Sequence, residues 1–226
     1  MKLNKKFATF YGILLGDGCL SRCGKGYFIS IVGHKKDDLS FFIKIKPLIK
    51  SVRGKQTPFR IREKYGKVEY NFSDKNLFQN FTNLEFPVGK KGTNLKISKS
   101  LKQYQKEVIK GIFSTDGSLV ITNNNGTIYP RLEISGISRV LLEQIKEYYD
   151  SIGIKSHIYI SKKYTNTWNA LYRLQSNGKK NLFLFKEKIG FLNPKHEEKF
   201  RKYEKTAGGG TFRKAEFSGR YTLFLV

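Results

Sequence analysis

"FYGILLGDG", residues Phe10 to Gly18, is an apolar run that ends in Gly-Asp-Gly. About a hundred residues later "IKGIFSTDG", Ile109 to Gly117, repeats the pattern, with Gly12 matched by Gly111 and Asp17 by Asp116. Read as a helix over residues 7–17, the first segment places Gly12 and Gly16 four apart, on one face. The second places Gly111 and Thr115 there. Small residues let two helix backbones approach closely. Ile13, Leu14, Ile112 and Phe113 are left to pack into each half's own core. Two such helices side by side bring Asp17 and Asp116 together at one end of the seam.

Two carboxylates at two helix C-termini repel each other and the negative ends of both helices. A divalent cation between them resolves the conflict. Hard oxygen donors select Mg²⁺, with Mn²⁺ or Ca²⁺ substituting for binding. The expected ligands are Asp17, Asp116 and the terminal carbonyls of Gly16 and Thr115.

The repeat extends outward from these helices. "FISIVGHKKDDLSFFIKIKPLIKSV" parallels "RLEISGISRVLLEQIKEYYDSIGI", each an alternating strand, a glycine and a helical pattern. "TPFRIREKYGKVEYNFSD" and "KSHIYISKKYTNTWNALYRLQSN" each read as two strands around a polar turn. "KNLFQNF" and "KNLFLFKEKIGF" read as short helices, and "FPVGKKGTN" aligns with "FLNPKHEEK". The fold class is therefore α+β, two pseudo-symmetric αββαββα repeats over residues 1–96 and 97–205. Ser98 or Ser100 is expected to cap the second motif helix. Residues 206–226, entered through Gly208-Gly209-Gly210, have no counterpart in the first half and form a tail with no assigned role.

Composition points to the partner. Of 226 residues, 43 are Lys or Arg and 18 are Asp or Glu, a formal net charge of +25. The basic residues run from Lys2 to Arg220 among Tyr and Phe. That is the pattern of a folded basic surface facing a polyanion, not of a basic tail. Hydrophobic residues at 39% allow a sizeable core. Cys19 and Cys23 are the only cysteines and there are three histidines. Two reduced thiols are the plainer reading, and a zinc site lacks soft ligands. "MKLNKK" followed by "FATFYGILLGDGCL" mimics a secretion signal, but Asp17 interrupts a short, aromatic-led apolar run. An intracellular, non-secreted protein is expected. No run of about 18 apolar residues suggests a membrane span.

The two nine-residue segments, their duplication and the basic charge together resemble the LAGLIDADG homing endonucleases, in the single-chain form with two motifs. The similarity runs over roughly residues 5 to 200 through the repeat order. It implies four strands from each half forming a saddle over the major groove of double-stranded DNA, with the motif helices at the domain interface. It implies a monomer that hydrolyses both strands of a long asymmetric site with Mg²⁺. Asp17 and Asp116 would be the catalytic metal ligands. A lysine would stabilise charge at each phosphate: Lys90 or Lys91 in the first half, Lys195 in the second. His34 falls where relatives carry a polar water-positioning residue, although its own partner is Gly136 or Ile137.

Readout is expected from the strand faces. The first half offers Arg22, Lys25, Ser30, Arg60, Arg62, Lys64 and Lys67. The second offers Asn123, Asn125, Thr127, Arg131, Lys162, Lys163, Tyr172 and Arg173. Phe59 and Trp168 are expected in the core. Two other functions fit the same fold: an intron maturase that binds intron RNA, and a DNA-binding regulator without catalysis. The intact acids argue against the second, and against a purely RNA-folding role for the first, with dual activity left open.

Overall fold

The computed structural model describes residues 3–125, 127–163 and 168–207. The expected order is found twice. The first half runs α1 (Lys5–Asp17), β1 (Gly18–Cys23), β2 (Gly26–His34), α2 (Lys35–Arg53), β3 (Arg60–Arg62), β4 (Lys67–Ser73) and α3 (Lys75–Thr82). The second runs α4 (Gln105–Thr115), β5 (Gly117–Asn124), β6 (Thr127–Gly136), α5 (Arg139–Ser151), β7 (His157–Lys162), β8 (Leu171–Asn177) and α6 (Lys179–Lys188). Each half holds one antiparallel four-stranded sheet, ordered β1-β2-β4-β3 and β5-β6-β8-β7.

Helix α1 starts where the Asn4 side chain accepts from the Phe7 N–H at 3.0 Å, which satisfies one of the free amides of its first turn. From Phe7 to Leu15 it is buried nearly all round, as a central helix must be. Its partner is α4. A Cβ on Gly12 would run into the Val108 carbonyl, and one on Gly111 into the Thr9 carbonyl. The glycines are therefore what lets the two backbones touch. On either side of this seam each half packs its own aromatic core. Phe7, Phe10, Tyr11 and Phe86 surround Phe81 in the first; Phe113, Tyr149 and Phe191 surround Phe185 in the second.

Three details depart from the sequence reading. Ser98 precedes a 3₁₀ turn over Lys99–Tyr104 and makes no side-chain capping bond, and α4 begins only at Gln105. The join is tightened by Gln144 instead, whose side chain bonds both the N–H (2.7 Å) and the carbonyl (3.1 Å) of Ile97. The segment aligned with "FPVGKKGTN" is not a loop throughout. Pro194, with φ preset for a first turn, opens a further helix, α7 (Pro194–Ala207), with no equivalent in the first half. That helix crosses the expected boundary at 205, and residues 208–226 of the tail lie outside the described residues.

Candidate active site and nucleic-acid interface

The paired helices end together. Asp17 is the last residue of α1 and Asp116 caps α4. Between them Gly16 meets the Thr115 side chain, and a Cβ on Gly16 would lie 3.4 Å from the Asp116 carboxyl carbon. Each carboxylate opens to solvent on one side and is walled by protein on the other. Burial, then the charge of Asp17, pushes Asp116 up to about 7, with Lys91 pulling back. Asp17 is also raised, by burial and then by Asp38, against Lys91 and Lys195. The repulsion belongs to the pair, not to either acid alone.

Of the two lysines in "VGKKG", Lys91 turns inward and Lys90 is exposed. The Lys91 ammonium donates to the carbonyls of Leu14 (3.2 Å), Leu15 (2.9 Å) and Gly16. It thereby caps the negative end of α1. Burial lowers its pKa, while Asp116 and Asp17 hold the proton on. The Gly16 carbonyl, one of the expected metal ligands, accepts from this lysine and keeps a second lone pair.

The remaining donors are hard oxygens around a point that already attracts a cation, so they fit a divalent metal of the Mg²⁺ class. Among the described residues no three His, Cys, Asp or Glu side chains cluster as a metal site. The two aspartates, with the Gly16 and Thr115 carbonyls, would hold such an ion together with water and phosphate oxygens.

Lys195 lies in the first turn of α7 and reaches across to α2, where its Nζ is 2.9 Å from Asp38 Oδ1. His34, at the end of β2, is exposed and pairs through Nδ1 with Asp37 at 3.1 Å.

Strand alternation sorts the readout candidates. In the first sheet Ile29, Ile31, Val68 and Tyr70 point to the core, so Ser30, Lys67, Arg60 and Arg62 share the outer face. Arg62 donates to Glu69 at 2.8 Å on that face. Lys25 is exposed in the β1–β2 turn, and Lys64 in the 3₁₀ turn before β4. Arg22 departs: it sits opposite Tyr27 on the Leu20 face and stacks over that ring at 4.9 Å.

In the second sheet Leu132, Ile134 and Leu174 face inward. Thr127, Arg131, Glu133 and Arg173 therefore face out. Glu133 stands between Arg173 (3.4 Å) and Arg131 (3.8 Å). Asn123 lies on the Leu119 side of β5, at its exposed tip, and Tyr172 packs against the core. Both leave the expected readout face. Asn125 takes the left-handed turn position, φ 49°, which Asn tolerates. Lys162 and Lys163 are exposed at the end of β7. Phe59 packs on Phe42 and Tyr70 as expected, but Trp168 is 75% exposed and is not a core residue.

Comparison with known proteins agrees with this geometry. Residues 103–190 match the LAGLIDADG-like domain family. The homing endonuclease I-DmoI in complex with DNA and Ca superposes with a TM-score of 0.59, covering 87% of this chain and 97% of that one at 17% identity. The LAGLIDADG homing endonuclease I-LtrWI, bound to target DNA, gives 0.58 over 90% and 92% at 12% identity. The protein has the two-repeat LAGLIDADG fold. In sequence it is 31% identical over 213 residues to a probable translation initiation factor IF-2 of Methanocaldococcus jannaschii. That match covers 88% of this chain, which spans 16% of the length of the factor.

Within this LAGLIDADG fold two site residues escaped the sequence reading. Asn193, fully buried, donates to the Ser114 carbonyl at 2.8 Å and accepts from the Lys195 N–H at 3.1 Å, tying the start of α7 to the end of α4. Its position before Pro194 was a helix-start signal. Asp38 had no signal: it looked like first-turn acid in an ordinary helix. Among the described residues no helix is long and apolar enough to cross a membrane, and Cys19 and Cys23 are free thiols.

Proposed function

We propose that this chain is a site-specific endonuclease that binds double-stranded DNA across its two basic sheet faces and hydrolyses both strands. The observation that carries the reading is the meeting of Asp17 and Asp116 at the joined ends of α1 and α4. A pair of acids in that place is unfavourable unless a cation and phosphates come to it. Both acids come from one chain, so the chain acts as a monomer.

A divalent cation at the pair would supply Lewis-acid polarisation of the scissile phosphate. The chain's own groups do the rest. Asp17 and Asp116 hold the cation. Lys91, anchored on α1, places a positive charge against Asp116 and the negative charge that develops on phosphate. Lys195 does the same on the Asp17 side. Arg60, Arg62, Arg131 and Arg173 on the outer strand faces are placed to read bases, because a guanidinium pairs bidentately with guanine. Lys25, Lys64, Lys162 and Lys163 at the turns hold phosphates.

The test is selection of cleaved sites from a randomised duplex library with Mg²⁺. Recovery of one long asymmetric sequence supports the reading. Recovery of bound but uncut duplexes contradicts it and favours a regulator.

A further inference from the structure

We infer that Asp38 is a positioning residue that holds the Lys195 ammonium for the cut of one DNA strand only. The inference rests on the endonuclease reading above and adds to it an inequality between the two cuts.

The pair crosses the molecule. Lys195 belongs to the second half and Asp38 to α2 of the first, and their 2.9 Å contact closes the gap between α7 and α2. Both partners are fixed. Asp38 uses its other oxygen, Oδ2, to accept from the backbone N–H of His34 at 2.9 Å, so its carboxylate cannot swing freely. The backbone beneath Lys195 is tied through the buried Asn193 to the end of α4. The Asp38 side chain is 17% exposed and that of Lys195 36%, so neither partner is sealed from solvent. Both charges act on Asp17.

Among the described residues the other half has no such pair at its acid. There the stretch where β6 passes into α5 lines a cavity of about 270 Å³ that reaches Lys91 and Asp116, with Ile134, Ile137, Leu141 and Leu142 beside the uncharged Ser135 and Ser138. The charges that act on Asp116 are Asp17 and Lys91. Lys91, already bound to three carbonyls, acts on both acids; Asp17 has in addition a carboxylate-held ammonium, and Asp116 an uncharged, largely apolar wall. A partly exposed ion pair contributes little to stability. Its placement at the site is the better account of it.

The experiment uses the full-length protein and a duplex recovered from the cleavage selection, with the two strands carrying different end labels. Wild type, Asp38→Asn, Asp38→Glu and Lys195→Met are compared under single-turnover conditions, with a melting curve for each. Asn keeps the acceptor for the His34 amide and loses the charge. Asp38→Asn and Lys195→Met are expected to slow the same strand by about tenfold or more, the scale of losing one charged donor at a phosphate. The other strand stays within about twofold, nicked duplex accumulates and melting is unchanged. Asp38→Glu should recover part of the lost rate. Equal slowing of both strands, no slowing, or different strands for the two variants overturns the inference while leaving the endonuclease reading intact. A wild-type protein that cuts neither strand overturns both.

Discussion

The Lys91 ammonium lies 2.9 Å from the Leu15 carbonyl oxygen, at the end of the helix whose last residue is Asp17. One side chain thus closes a helix terminus and counters the charge of two carboxylates. Replacing it should affect stability and chemistry together. Lys91→Met is expected to cost about 1–3 kcal/mol, the range for losing a charged donor to partly buried acceptors. It should also slow cleavage strongly while duplex binding persists. Lys90→Met, at an exposed neighbour, should change neither. Urea denaturation and a cleavage time course of the two variants side by side check this; equal behaviour would remove Lys91 from the site.

The glycine seam gives a second expectation. At Gly111 a Cβ meets the Thr9 carbonyl and the α1 backbone near Ile13, and backbone cannot step aside. Gly111→Ala should therefore destabilise the fold by about 3 kcal/mol or more, the upper range for overpacking. Gly136→Ala, where a Cβ meets nothing within 4 Å, should leave stability nearly unchanged. Denaturant midpoints that fall equally for both would show that close helix approach is not what Gly111 provides.

Acid–base behaviour follows from Asp116. Its carboxyl is raised from 3.8 to about 7 in the folded chain, by burial first and then by Asp17. A raised acid binds its proton more tightly folded than unfolded. Stability from this group is therefore present at low pH and is lost as pH rises from about 4 to about 7. Glu85 and Glu198 are shifted down and work in the opposite sense at lower pH, so the informative quantity is a difference. Without metal, Asp116→Asn should be more stable than wild type at pH 8, and the advantage should shrink as pH falls and be nearly gone at about pH 4. Added Mg²⁺ should raise the melting temperature of wild type at pH 8 and not that of the variant. Parallel wild-type and variant curves across this range would contradict the crowded-acid description.

With a formal charge of +25, duplex binding should be led by counterion release. For six to ten phosphate contacts, affinity should fall roughly 10³- to 10⁵-fold between 50 and 200 mM salt. A nearly flat salt titration would place the basic residues elsewhere than on DNA.

Much of this molecule was legible in its sequence because duplication supplies its own control. Asp17 alone reads as a turn residue; Asp17 and Asp116 at matched places read as a candidate site. The same comparison ordered the strands and singled out Gly12 and Gly111. It failed where the halves diverge. Helix α7 has no twin, so aligning "FLNPKHEEK" with "FPVGKKGTN" gave no sign of it and Asn193 was missed. Strand ends escape for another reason. Period-two alternation assigns a face only once the register is known, and Arg22, Asn123 and Tyr172 each lie on the opposite face from the one expected. Trp168 stands apart, because a large aromatic in a strand-rich segment ordinarily packs inward. Asp38 needed the folded chain, since its partner is 157 positions away.

In the function proposed above, Asp17 and Asp116 together hold the metal that cuts DNA. Asp17→Asn and Asp116→Asn keep the size and turn-forming ability of aspartate but remove the anionic oxygen that a hard cation requires. The deciding measurement is linearisation of a plasmid carrying the selected site, with Mg²⁺, beside a binding assay on the same duplex. Both variants are expected to fold and to bind the site as tightly as wild type or more so, because a carboxylate near phosphate is repulsive when no metal is present. Neither should yield linear product. Linearisation by either variant at the wild-type rate would contradict the account.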